Sequence, residues 1–318
     1  MTSFLHLIRF PNLLIIVFTQ YVMRYAVISP LAQSRGVWFQ LSGFTFFLLV
    51  FSTMCTAAAG YAINDYFDVK TDKINRPGRV VVGKQIGRHK TVMTHIILCA
   101  IGILLGGYVT YKAGIPKLAL AYIVVAAILW LYSSVYKRQF LIGNIIVALF
   151  SALIPMTVLL DIPPIYKFYG SFLLEQGANL NFAVYWISGI AVFAFLTTLS
   201  HEIIKDAEDF EGDSAYGCRS VPIVLGNRYT KWIIIGINAV IVVMMGLAYG
   251  CFPRYLHNSF SFFYILLLLV VPVIIISWKV YQATTSNDYR RAGNRMKWVM
   301  LAGIIYSGIW IFELLEII

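Results

Sequence analysis

The sequence predicts an all-α, polytopic membrane protein with nine transmembrane helices. Three observations carry that prediction. Of 318 residues, 60% are hydrophobic and 12% are charged, against about 25% charged in a soluble domain. The apolar residues gather in blocks long enough to cross a bilayer, about 20 residues each. With the N-terminus placed in the cytoplasm, 19 of the 25 Lys and Arg fall on the cytoplasmic side of those blocks, as the positive-inside rule requires. Arg24, Arg35, Lys112, Lys117, Lys167 and Arg254 make up the other side.

The nine blocks lie at about 10–29, 40–62, 91–111, 116–135, 140–160, 183–203, 231–250, 260–281 and 297–316. Before the first, "MTSFLHLIRFPNLL" has no basic n-region and no small-residue cleavage site, so the expectation is that this helix is retained. The second block runs into the charged stretch 64–79, and the sixth into a second acidic stretch after 201. Both connections fall on the cytoplasmic side. The connection after the fifth, "DIPPIYKFYGSFLLEQGANLN", has few charges and reads as an outer connector loop. An odd number of spans puts the C-terminus outside. The expected location is the cell inner or plasma membrane, with one domain over residues 1–318.

The net charge of +11 is mainly this topology signal, so no nucleic-acid partner is expected. Cys55, Cys99, Cys218 and Cys251 are scattered without CxxC spacing. They read as small helix-packing residues.

The two acidic stretches share a design. "NDYFDVKTD" carries Asp65, Asp68 and Asp72, and "KDAEDFEGD" carries Asp206, Asp209 and Asp213. Each steps by three, then four, so on a helix each set shares one stripe. A single charge cluster at a helix end is commonly a solvated face. Two with one spacing, on the same side, argue for a task. Like charges near low-dielectric lipid repel, and a hard divalent cation relieves that. Mg²⁺ takes oxygen ligands and usually binds through a few carboxylates together with substrate phosphates. Two such stripes, if opposed, fit a Mg²⁺-bridged diphosphate. The four-helix interval between them suggests a duplicated unit plus a ninth helix.

Further polar residues sit at the same membrane face. "LYSSVYKRQFLIGN" places Tyr132, Tyr136, Lys137 and Arg138 where the chain re-enters the membrane, with Asn144 just inside. Lys137 and Arg138 read either as positive-inside anchors or as ligands for phosphate oxygens. "RFPNLL" places Arg9 and Asn12 at the start of the first helix; Asn12 reads equally as a bond to a neighbouring helix. Lys205 adjoins the second motif as a further substrate-binding candidate.

These segments resemble the UbiA superfamily of intramembrane prenyltransferases. "NDYFDVKTDKINRP" is similar to its first motif and "KDAEDFEGD" to its second. "LYSSVYKR" with the following "GN" resembles the segment between them, and "RFPNLL" the N-terminal one. The resemblance implies a nine-helix bundle around a central cavity, capped by the motif loops. It implies Mg²⁺-dependent transfer of a prenyl group from a prenyl diphosphate donor to a lipophilic acceptor within membrane lipid. It implies Asn64, Asp65, Asp68, Asp72, Asp206, Asp209 and Asp213 as site residues, with Asp68, Asp72, Asp206 and Asp209 foremost for metal and Lys137 and Arg138 on the diphosphate. Aromatic side chains, 15% of the chain, supply π faces for an allylic cation.

"EIIKDAEDFEGD", "YGCRSVPIVLG" and "LYSSVYKRQFLIGNIIVA" most resemble the branch that geranylgeranylates the hydroxyl of geranylgeranylglyceryl phosphate, forming an ether lipid. The alternative acceptor is an aromatic ring of the 4-hydroxybenzoate, homogentisate or naphthoate type. His201 is a candidate base for the hydroxyl, though a packing histidine is the commoner reading. Arg76, Arg79 and Arg219 are candidates for the acceptor phosphate. A cation transporter remains a remote alternative, since it requires carboxylates at mid-membrane depth. The segment "NDYRRAGNRMK" matches no assigned motif.

Overall fold

A computed structural model describes residues 2–78, 80–251 and 259–317. Among them all regular structure is helical, apart from one isolated bridge between Val82 and Ile86. Eight stretches are long and apolar enough to cross a membrane: Phe10–Ser34, Gly43–Asn75, Arg88–Lys112, Pro116–Ser134, Ile142–Glu175, Asn181–Glu208, Val221–Gly250 and Ser259–Gln282. The expected ninth, 297–316, is helical within Ser286–Ile317 but is not among those eight. Arg254 lies outside the described residues. The chain divides into two compact units, Met1–Lys137 with Ile154–Ile187, and Arg138–Leu153 with Ser188–Ile318.

The first unit opens with α1 (Thr2–Leu7) and α2 (Phe10–Val22). α2 continues through a π turn, Met23–Ile28, into α3 (Ser29–Ser34). Pro30 explains the wide turn. It has no N–H to donate one turn back, and the Ser29 N–H reaches the Arg24 carbonyl instead, a five-residue bond typical of π turns. α4 (Gly43–Asn75) starts at Ser42, whose Oγ accepts the Thr45 N–H at 3.1 Å, a side-chain N-cap. Its 33 residues extend about 50 Å, well beyond the roughly 30 Å hydrocarbon core. Its last turns therefore carry charge without placing it in lipid.

α5 (Arg88–Lys112) packs closely on α4. Ser52 Oγ donates to the Gly102 carbonyl at 2.7 Å, and a Cβ on Gly102 would sit 2.5 Å from Thr56 Oγ1. Small residues permit such approach where apolar lipid offers no net drive to associate. α6 (Ala119–Ser134) completes the run. α7 (Ile142–Met156) leads through a tight turn, Thr157–Asp161, into α8 (Ile162–Glu175).

α8 corrects the expectation of a connector loop over 161–182. Pro163 and Pro164 occupy its first turn, where a missing N–H costs nothing and the fixed φ suits a helix. The prolines that suggested a loop initiate a helix. Asp161, just before it, forms an ion pair with Arg24 of the π turn, Nε to Oδ2 at 3.1 Å, with both side chains 1% exposed. Arg24 Nη2 also donates to the Leu41 carbonyl at 2.7 Å, and its guanidinium lies over the Phe39 and Phe46 rings. Arg24 was expected simply on the outer side; it is an interior residue of the unit.

The second unit contains α7 up to Leu153, α9 (Asn181–Glu208) from Ser188 on, α10 (Phe210–Ala215), α11 (Val221–Cys251), α12 (Ser259–Tyr264), α13 (Val271–Gln282) and α14 (Ser286–Ile317). Gly226, at φ 77°, breaks α11 near its start, a conformation open to glycine at little cost. Pro272 follows a π turn, Ile265–Val270, as Pro30 does in the first unit. The core includes Ile203, Ile204, Ile234, Ile276 and Met296. Ser200 Oγ donates to Asn238 Oδ1 at 2.7 Å, and Asn238 Nδ2 to Ser277 Oγ at 2.9 Å. This relay satisfies buried polar groups across α9, α11 and α13.

Candidate active site

The end of α4 builds the first acidic site. Asp65, Asp68 and Asp72 lie on one continuous helix, as their spacing predicts. Asn64 Nδ2 donates to Asp68 Oδ2 at 2.7 Å. Lys137 Nζ donates to that same carboxylate oxygen, and to Asn64 Oδ1 at 3.1 Å. Asn64 is thus both a donor to the acid and an acceptor from its base. Arg9 Nη2 donates to Asp65 Oδ1 at 2.9 Å, and its guanidinium sits 5.0 Å from the centre of the Tyr61 ring. Arg9 has φ 49° ahead of α2, which is costly for a residue with a Cβ. Asn12 Nδ2 makes a long contact, 3.5 Å, to the Tyr61 hydroxyl. Arg76 ends α4, its N–H donating to the Asp72 carbonyl at 2.8 Å.

Burial, the largest single influence, acts to lower the Lys137 pKa, but Asp68, Tyr132 and Asp72 together outweigh it. The ammonium is held above its ordinary range and is charged at neutral pH. For Arg9, burial is likewise the largest single influence and opposes charge, and Asp65, Tyr61 and Asp68 together override it.

The second acidic site is built differently. α9 ends at Glu208, Asp209 is a bend with ψ near 10°, and α10 begins at Phe210. The three aspartates therefore do not share one unbroken helix, which corrects the expectation. The spacing nevertheless keeps helical hydrogen bonds across the break: the Asp209 N–H donates to the Lys205 carbonyl at 2.9 Å, and the Asp213 N–H to the Asp209 carbonyl at 3.1 Å. Asn144 Nδ2, from α7, donates to Asp206 Oδ2 at 2.8 Å. Lys205 Nζ lies 3.8 Å from Glu202 Oε2, and His201 Nδ1 lies 3.2 Å from Glu202 Oε1. The Arg219 N–H donates to the Arg138 carbonyl at 2.9 Å.

Lys137 and Arg138, expected as a pair, thus make separate contacts: the Lys137 side chain on Asp68, the Arg138 backbone on Arg219. Arg79 lies outside the described residues. Sequence reading did not find the ion pair of Arg24 with Asp161, nor Gln20, whose Nε2 donates to Thr157 Oγ1 at 2.7 Å and Thr53 Oγ1 at 3.0 Å. Their only signal is polarity inside an apolar block. Asp161 is an acid within a candidate span, but Arg24 engages it, unlike the open carboxylates a cation path requires.

Among the described residues, no group of three or more His, Cys, Asp or Glu is gathered closely enough to hold a metal ion. The donors present are carboxylate and amide oxygens, which suit Mg²⁺. One or two carboxylates suffice when phosphate supplies further oxygens.

A model of the UbiA prenyltransferase family matches residues 22–301. The chain is 30% identical over 262 residues to the digeranylgeranylglyceryl phosphate synthase of Methanospirillum hungatei JF-1, covering 82% of this chain and 83% of that protein. Among solved structures, one described as a digeranylgeranylglyceryl phosphate synthase in membranes matches with TM-score 0.63 and 21% identity, over 97% of this chain and 98% of that one. A UbiA homologue from Archaeoglobus fulgidus bound to DMAPP and Mg²⁺ matches with TM-score 0.59 and 15% identity, over 99% and 98%. At these identities the structural likeness shows the fold.

Proposed function

The chain belongs to the UbiA prenyltransferase family, and from that premise we propose that it transfers a geranylgeranyl-type group from prenyl diphosphate to the hydroxyl of geranylgeranylglyceryl phosphate. The product is an ether lipid. The whole chain, 1–318, acts as one catalytic domain in an inner or plasma membrane. Its N-terminus and acidic motifs face the cytoplasm, and its C-terminus lies outside.

The observation that carries this reading is the repeated pairing of a membrane-end aspartate with an asparagine amide. Asn64 serves Asp68 and Asn144 serves Asp206. Each amide donates a hydrogen bond that restrains the orientation of its carboxylate. Asp68, Asp72, Asp206 and Asp209 are the foremost metal ligands, and Asp65 and Asp213 complete the stripes. Bound Mg²⁺ would neutralise charge developing on the leaving diphosphate.

Lys137 and Arg138 take diphosphate oxygens. Lys137 lies on Asp68 before substrate arrives, so its ammonium is already directed to the acidic site and need not be ordered during reaction. Arg9, Asn12, Tyr132 and Lys205 border the substrates. Apolar helix surface excludes water from the allylic cation. The acceptor assignment rests on the named relatives, of which the M. hungatei synthase is one. An aromatic acceptor is the competing outcome.

The test offers purified protein in detergent radiolabelled geranylgeranyl diphosphate, Mg²⁺ and two acceptor sets. Label in geranylgeranylglyceryl phosphate, abolished by EDTA, is expected. Label only in a hydroxybenzoate-type ring would overturn the acceptor.

A further inference from the structure

The segment 285–290 matches no sequence motif, yet it touches both ends of the second acidic loop. That loop leaves α9 at Glu208, carries Asp209, Asp213 and Arg219, and returns at the Gly226 break. At the leaving end, Ser286 Oγ donates to the Glu208 carbonyl at 2.8 Å, and Arg290 Nε donates to the Glu208 carboxylate at 2.9 Å. At the returning end, the hydroxyl of buried Tyr289 donates to Asn227 Oδ1, one residue past the break. Helix ends leave carbonyls unsatisfied. Here the final carbonyl of α9 accepts from a side chain of a different helix.

The segment is itself rigid. Asp288 Oδ2 accepts from the Thr285 N–H at 3.0 Å and the Thr285 hydroxyl at 2.8 Å, and the Asp288 N–H donates to Thr285 Oγ1 at 3.3 Å. This reciprocal pattern is a capping box, so three successive contacts issue from one ordered helical turn. Close packing of α14 on α9 supports it: a Cβ on Gly293 would lie 3.6 Å from Ile204 and 3.8 Å from His201.

We infer that Ser286, Tyr289 and Arg290 are positioning residues, a clasp that holds both ends of the loop 209–226 and so sets the place of Asp206 and Asp209. The inference deepens the proposed function and rests on it for its Mg²⁺ consequence. Outer residues that orient metal-binding carboxylates commonly change metal affinity by about 10- to 100-fold. Arg290 is half exposed, so its ion pair alone adds little to stability. Its effect lies in geometry.

The experiment compares wild type with Arg290→Ala, Tyr289→Phe, their double variant and Arg290→Lys, using full-length protein in detergent. Amide hydrogen exchange is read over 209–226, with 64–78 as internal reference. Mg²⁺ is titrated in the transfer assay. The clasp predicts faster exchange in 209–226 alone, and a rise of about tenfold in the Mg²⁺ concentration for half-maximal rate in the double variant. Arg290→Lys recovers part of both. Unchanged exchange in the double variant overturns the clasp. Faster exchange with unchanged Mg²⁺ half-saturation overturns the positioning role and leaves a structural contact. A wild type without Mg²⁺-dependent transfer refutes the proposed function, while the exchange measurement still decides the clasp.

Discussion

Two acid–base contacts in the first unit use the same chemistry and end in opposite roles. Lys137 on Asp68 is partly solvated, with side chains 30% and 13% exposed. Arg24 on Asp161 is sealed, at 1% and 1%. The open pair can exchange partners with an arriving phosphate, because water lowers the cost of separating its charges. The sealed pair cannot, since each charge would be left alone in a low dielectric. Depth relative to water, rather than residue type, separates a site from a strut. Asp65 with Arg9 lies on the open side of that division, at 20% and 34%.

The comparison breaks most sharply at Asp68. Asp68→Ala and Asp206→Ala are each expected to reduce turnover by at least about 10²–10³-fold, with unchanged detergent-extracted yield and melting. Retained turnover in either would remove that aspartate from the chemistry. Arg24→Ala should act in the opposite sense, lowering stability by about 3–5 kcal/mol in thermal unfolding. The paired replacement Arg24→Met with Asp161→Leu should recover most of that loss, because no charge remains buried. If the single and double variants melt alike, the strut reading fails.

Smaller effects sharpen the contrast. Lys137→Ala is expected to lower kcat by about 10–100-fold with little change in melting, while Lys137→Arg retains part of the rate. A large drop in melting temperature would move Lys137 to the structural side. The smallest effect concerns pH. Hydrogen bonds from Thr285, side chain first, then backbone, and from the Thr284 backbone hold Asp288 below its ordinary 3.8. Its folded pKa lies below its unfolded one. Its contribution is therefore full above about pH 4 and is lost as pH falls through the folded value. Amide exchange at the start of α14 should quicken on going from pH 5 to pH 3, after correction for intrinsic rates. Asp288→Asn should remove most of that dependence.

How much of this was legible in the sequence depends on the range of each signal. Spans and acidic spacing are local, so hydropathy and three-then-four steps reveal them. The capping box is also local, as Thr285 and Asp288 stand three apart, but it lies in a segment without a family motif. α8 was misread because Pro163 and Pro164 suit both a loop and a helix start. The break at Asp209 leaves no mark in composition, since the hydrogen-bond spacing survives it. Contacts of Arg24 with Asp161, and of Arg290 with Glu208, join positions distant in the chain, and a single sequence contains nothing that pairs them.

The Arg24–Asp161 contact also dictates an order of birth. Its members stand 137 residues apart. At about 5–20 residues per second of synthesis, the first enters the membrane on the order of ten seconds before the second exists. In the folded chain the guanidinium's further contacts, the Leu41 carbonyl and the Phe39 and Phe46 rings, all come from residues made early. The first unit therefore remains unfinished until the chain beyond α7 arrives, although residues 1–137 make up most of it. Ribosome-bound chains released before and after residue 161 would differ in how readily a protease cuts α2.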